Sequence, residues 1–199
     1  MKHKNTALLA LWLAATLLPA QGQQPTTNRL RDSLTTLNTL IAANPHSADL
    51  RLRKAALNIE LNQWEYAIEE YGRVLQQDPT NLTARFFRAY AHNHLRHFDA
   101  ARDDYEHFLS IVPRHFEARL GLAMVKRNQG RTIEAADEFN RLVEQYPDSA
   151  LAYAVRADFE DEQGQLDLAR YDYQQALRLH PANAEYRVAL QRLEKKKKR

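Results

Sequence analysis

The sequence predicts an all-α protein, a right-handed superhelical solenoid of helix–turn–helix repeats. Two observations carry that fold class. First, Pro45, Pro79, Pro113, Pro147 and Pro181 stand 34 residues apart, and a fixed period of a few tens of residues marks stacked supersecondary units. Second, an alanine lies twelve residues before each of the last four prolines, with an aromatic four residues after it. These pairs are Ala67 and Tyr71, Ala101 and Tyr105, Ala135 and Phe139, Ala169 and Tyr173.

The segments follow in order. Residues 1–22 read as a secretory signal peptide: Lys2 and Lys4 open it, Ala7–Leu18 carries no charge, and Ala20-Gln21-Gly22 offers small residues for cleavage. Cleavage is expected after Gly22 or after Ala20; the competing reading is an uncleaved anchor, for which the apolar run is short. Residues 23–47 are expected to hold a polar linker around Pro25, then a front capping helix that Asn28 or Thr27 can cap and that runs to Ala43. Leu30, Leu34, Leu37 and Leu40 or Ile41 give that helix one apolar face.

Four repeats fill 48–81, 82–115, 116–149 and 150–183. Each has a first helix (A) of about 14 residues, a short turn and a similar second helix (B). Counting places within a repeat, place 8 is always alanine: Ala55, Ala89, Ala123 and Ala157. Small residues at places 8 and 20 let A and B approach closely. Gly130 and Gly164 suit the left-handed turn after helix A, as does Asn62; Arg96 suits it least, so the second turn should be the least regular. The proline ends helix B because the residue before it is pushed out of the helical region. Residues 184–199 form a last amphipathic helix, with Tyr186, Ala189, Leu190 and Leu193 facing inward, and a basic tail.

The proline, alanine and aromatic positions resemble the A-x3-F…P half of the tetratricopeptide repeat (TPR) signature in all four repeats. The other half, W-x2-L-G-x2-Y, is weak. The tryptophan place reads Arg51, Arg85, Arg119 and Tyr153, and the leucine place Lys54, Arg88, Leu122 and Arg156. Polar contacts are therefore expected where the family packs apolar side chains. Acids stand at place 23: Glu70, Asp104, Glu138 and Asp172. The pairs Lys54–Glu70, Arg88–Asp104 and Arg156–Asp172 are expected to meet across each A–B interface, with Leu122 breaking the pattern in the third repeat.

The resemblance implies a groove lined by the A helices that binds a protein or peptide segment. Its candidate residues are Leu52, Phe86, Tyr90, His94, Leu120, Met124, Arg127, Asp158 and Asp161. Aromatic and methionine side chains suit a peptide-binding hot spot. Some family members hold a partner's carboxylate with Lys at place 5 and Asn at place 9; Leu52 and Ala56 argue against that mode here.

Composition narrows the function further. The formal net charge is +3; removing Lys2 and Lys4 leaves +1, and removing the five positive charges of the tail 195–199 leaves −4. A body of that sign is not a nucleic-acid surface. There is no cysteine, which excludes disulfides and thiolate chemistry. No nucleophile motif, cofactor loop or paired-histidine metal signature occurs, so neither enzyme nor cofactor is expected. His94 and His97 have a spacing a metal could bridge, but ligands must also converge, and the five histidines of the second repeat read as surface residues. The acidic run from Asp158 to Asp167 misses the Ca²⁺ loop because Gly164 falls one place late. Two further readings stay open: self-assembly of the array, and attachment of the basic tail to an anionic lipid or polysaccharide surface. The signal peptide places the protein in the periplasm or outside the cell, without a membrane span in its mature form.

Overall fold

The computed structural model describes residues 23–197. They form ten helices and, among the described residues, no strand. The front helix α1 is Gln23–Ala43, and α10, Ala184–Lys197, closes the stack. Between them the A helices are α2 (Ala48–Glu60), α4 (Leu82–His94), α6 (Phe116–Asn128) and α8 (Ala150–Glu162). The B helices are α3 (Trp64–Gln77), α5 (Phe98–Ile111), α7 (Thr132–Gln145) and α9 (Leu166–Leu179). Every boundary repeats at 34 residues. The expected signal segment 1–22 lies outside the described residues, as do the last two residues of the tail.

Local chemistry explains these boundaries. The residue before each A helix is a cap whose side chain accepts the amide proton three residues on: Ser47 from Leu50, Asn81 from Ala84, His115 from Ala118, and Ser149 from Ala152. Asn183 caps α10 in the same way, through Tyr186. Each A helix ends at a residue of positive φ: Asn62 at 58°, Arg96 at 60°, Gly130 at 73° and Gly164 at 74°. The next amide then reaches back five residues, as in Gln63 N–H to Asn58 C=O at 2.7 Å. The Arg96 turn makes the same bonds as the other three, so the expected irregularity is absent; the left-handed strain is carried by Arg96 within an unchanged turn.

Helix α1 begins at Gln23, so the stretch expected as linker is helical. Pro25 falls in its first turn, where no amide proton has an intrahelical partner to lose. Of its apolar residues Leu37 is buried, Leu30, Leu34 and Ile41 are half-buried, and Leu40 is exposed.

The core is four clusters in series; the first three take residues from the next repeat and the fourth takes Leu193 from α10. The alanines of places 8 and 20 are fully buried, and Tyr71, Tyr105, Phe139 and Tyr173 fill the space beside them. No repeat closes its core alone, which couples neighbours as a stacked array requires. Leu193 is the deepest contact of α10, under half-buried Tyr186, Ala189 and Leu190.

Candidate partner-binding groove

A buried polar ladder sets the orientation of each A helix, and thereby the face it turns outward. Glu70 accepts from Lys54 Nζ at 2.8 Å and Arg51 Nη1 at 2.8 Å. Asp104 is gripped by Arg88 through Nε at 2.7 Å and Nη2 at 2.8 Å. Asp172 is gripped by Arg156 through Nε at 2.6 Å and Nη2 at 2.9 Å. The three expected pairs are therefore present. Burial pushes the Glu70 carboxyl up, but the bonds from Lys54 and Arg51 outweigh it and hold it below its ordinary value.

Two further rungs were not anticipated. The place-4 arginines also reach the acid: Arg51, Arg85 at 3.2 Å from Asp104, and Arg119 at 2.6 Å from Glu138. Each also donates to the carbonyl of the proline six residues before it, Pro45, Pro79 or Pro113. In the third repeat Leu122 leaves its place to Lys126, one helical turn on, which bonds Glu138 at 3.1 Å. Place 11 thus belongs to the ladder and reads Asn58, His92, Lys126 and Glu160. The available signal was three arginines at the tryptophan place, in register with prolines whose carbonyls lacked helical donors. In the fourth repeat Tyr153 replaces the arginine. There Glu160 is buried with its Oε2 unpartnered. Burial, and then the charge of Asp172, push its carboxyl up to about 7 against the pull of Arg156.

The groove residues lie on the opposite side of the A helices. Tyr90 is 40% exposed, with its ring 5.8 Å from that of Trp64, and His94 stacks on the same indole at 3.7 Å. Trp64, at the start of α3, is a member of this aromatic group that the sequence reading omitted. Leu52 is half-buried against the first core cluster, and Leu120 and Met124 against the third. Arg127 pairs with Glu162 at 3.5 Å. Asp158 is exposed and accepts the Tyr173 hydroxyl proton.

Two candidates are placed elsewhere. Phe86 is buried in the second core cluster, against the rings of Tyr105, Phe108 and His115; it supports the face from behind because its ring fills the gap between repeats. Asp161 is covered by α10, accepting from Arg192 at 3.0 Å and Lys196 at 2.6 Å. The last helix therefore occupies that end of the face. His97 lies beside His92, Nδ1 to Nδ1 3.4 Å, and not beside His94. Among the described residues no three His, Asp or Glu side chains converge to hold a metal. No described helix is long and apolar enough to cross a membrane.

Comparison with known proteins agrees with this architecture. A family model for the tetratricopeptide repeat matches residues 26–81, 58–114, 95–150 and 120–184. The chain is 27% identical over 152 residues to small glutamine-rich tetratricopeptide repeat-containing protein 2 of Saccharomyces cerevisiae, covering 73% of this chain and 43% of that protein. It thus spans less than half the length of the curated relatives it matches. The crystal structure of MamA superposes with a TM-score of 0.72 at 17% identity, covering 85% of this chain and 99% of that one. YrrB, described as a TPR protein with an unusual peptide-binding site, superposes with a TM-score of 0.69 at 16% identity, covering 83% and 85%. At such identities the likeness shows the fold alone.

Proposed function

Because the chain belongs to the tetratricopeptide repeat family, we propose that it is an exported, non-catalytic scaffold that binds a protein or peptide segment along its A helices. The observation that carries this reading is the group Trp64, Tyr90 and His94, an aromatic patch partly open to solvent, with half-buried Met124 at the same place as Tyr90 in the next repeat. Aromatic rings offer a large contact area with little conformational freedom to lose, which favours them at binding hot spots. Proteins built from these repeats serve as interaction scaffolds. Adjacent packed helices lie roughly 8–10 Å apart, so five A-type helices span about 35–40 Å, room for about ten to twelve residues of extended peptide.

The ion pairs Arg127–Glu162 and Asp161–Lys196 make the rear of this face polar, while the front is aromatic. A partner segment with an apolar front half and a charged rear half suits it best. Crosslinking in the cell envelope fraction, followed by Tyr90→Ala with Met124→Ala, tests the reading. Loss of the crosslinked partner with the helical circular dichroism retained is the expected result; an unchanged crosslink pattern overturns it. Export itself is tested by N-terminal sequencing of the mature protein, where a start at Gln23 or Gln21 is expected. Recovery of the protein with Met1 and Lys2 in place overturns it.

A further inference from the structure

A cavity lies on the other side of α2 from the groove, in the cleft where α1, α2 and α3 meet. Its volume is about 450 Å³, within the range of small-molecule sites. Helix geometry separates it from the groove. Arg51, Lys54 and Asn58 are three and four residues apart and share one face of α2, whereas Leu52 and Ala56 lie on the opposite face. Leu34 and Ile41 of α1 form an aliphatic wall, and Tyr66 of α3 stands at the margin.

The polar lining has more donors than acceptors. Asn58 is 2% exposed, and its Nδ2 has no partner. Lys54 has three ammonium protons and gives one to Glu70; Arg51 has five and gives three, one to Glu70 and two to Pro45. Both oxygens of Glu70 are already taken, by Lys54 and Arg51. At the rim Arg73 and Glu69 bond each other and cancel. What remains is one net positive charge among Arg51, Lys54 and Glu70, together with unmatched N–H groups. A buried amide donor left unpaired is costly, and in native proteins such groups have a partner.

In the third and fourth repeats the corresponding clefts are crossed by their own side chains. Arg156 reaches back to Asn140 of α7 at 3.1 Å, and Lys126 to Glu106 of α5 at 3.4 Å. In the first repeat the residue in that register is Asn38, which lines the cavity without bonding Lys54 or Asn58.

We propose that this cleft binds a small monocarboxylate carried on a branched aliphatic group. The carboxylate would accept from Asn58 Nδ2, Lys54 and Arg51, and the aliphatic part would pack on Leu34 and Ile41. One negative charge matches the one positive charge in surplus, whereas a doubly charged phosphate would leave one negative charge uncompensated in the cleft. The carboxylate can come from a free organic acid or from the terminus of a peptide.

The test titrates the full chain with 4-methylpentanoate, its amide, inorganic phosphate, and a pentapeptide ending in leucine as free acid or amide. Heats of binding and the NMR shifts of the Asn58 side-chain amide protons are read. The expected result is that an acid binds at least about tenfold more tightly than its amide, with those amide protons shifting on saturation. Asn58→Leu or Lys54→Met should lose at least about tenfold in affinity, and Tyr90→Ala should lose none, which separates this site from the groove. Binding of 4-methylpentanoate identifies a free acid as sufficient; binding of the peptide acid alone identifies a chain terminus. Equal affinity for acid and amide, tighter binding of phosphate, no binding, or an unmoved Asn58 signal each overturn the proposal. Should Asn58→Leu fail to fold, Lys54→Met and the Asn58 signal in the wild-type chain still decide it.

Discussion

Arg88 and Asp104 meet through two parallel hydrogen bonds, Nε to Oδ2 at 2.7 Å and Nη2 to Oδ1 at 2.8 Å. A fork of this kind fixes both distance and angle, so it sets the register of α4 against α5. Asp104 is 4% exposed and also holds Arg85. Removing the acid strands two cations, whereas removing Arg88 leaves the acid one partner. Asp104→Ala should therefore cost about 3–5 kcal/mol and Arg88→Ala less. The double variant should fall short of the sum by at least about 1 kcal/mol. Additive losses in thermal unfolding would show that the fork contributes no coupling.

The place-7 and place-23 pairs were legible because base and acid share the 34-residue period. The place-4 arginines were not, because their second acceptor is a backbone carbonyl, and every residue has one. Lys126 was hidden for a related reason. It substitutes for the missing base at place 7 from one turn further along, a contact that only the three-dimensional helix reveals. Phe86 and Tyr90 differ by one turn on the same helix. Sequence put both in the groove, yet one fills the core and the other is open, because Phe86, one turn nearer the start of α4, is covered by Phe108 and His115, while the Tyr90 ring, among the described aromatic rings, meets only that of Trp64. Asp161 carries the groove pattern in sequence, yet α10 packs on it because Arg192 and Lys196 fall in register with it.

Gly121 marks the closest approach between α6 and α5. A Cβ there would stand 2.6 Å from Tyr105 Oη and 2.8 Å from Cε2. Tyr105 is 1% exposed and has no room to withdraw. Helix propensity alone favours alanine over glycine by about 1 kcal/mol. Overpacking costs about 1–3 kcal/mol and should dominate. Gly121→Ala is expected to lower the Tm, and Gly121→Ala with Tyr105→Phe to recover part of the loss, since the phenylalanine ring lacks the Oη. A Gly121→Ala variant as stable as wild type would mean that α5 and α6 can separate freely.

Arg96 occupies a left-handed conformation at φ 60° that Gly130 and Gly164 adopt without strain. For a residue with a Cβ that conformation costs roughly 1–2 kcal/mol. Arg96 also lies over the Phe98 ring, its Cζ 5.5 Å from the centroid, a contact worth about 0.5–1 kcal/mol at an exposed site. The backbone effect is the larger, so Arg96→Gly should raise stability by up to about 1 kcal/mol. Gly164→Arg, made at the equivalent turn without such a ring contact, should lower it. Urea unfolding of both variants checks the pair; a loss on Arg96→Gly would show that the cation–ring contact dominates.

Glu160 should give the array an unusual dependence on pH. Its carboxyl is raised from 4.5 to about 7, first by burial and then by the charge of Asp172, with Arg156 opposing both. Below pH 4.5 the group is protonated whether the chain is folded or unfolded. As pH rises toward 7, the unfolded chain releases this proton first, so folding loses stability until the folded group also ionises. Other groups act in the opposite sense. Glu70, held low, contributes above 4.5 and loses that contribution on acidification. His92 and His115, lowered from 6.5 by burial, favour the folded state above that value and cost stability below it. The wild-type profile mixes these trends, but the difference between Glu160→Gln and wild type isolates one group. That difference should be small at pH 4.5 and grow to about 1–2 kcal/mol in favour of glutamine by pH 8, after allowance for solvent screening. Glutamine keeps the shape and removes the charge facing Asp172. Urea midpoints measured from pH 4.5 to 8 decide the matter. A constant offset between the two proteins would mean that Glu160 is ionised throughout and that Arg156 neutralises it fully.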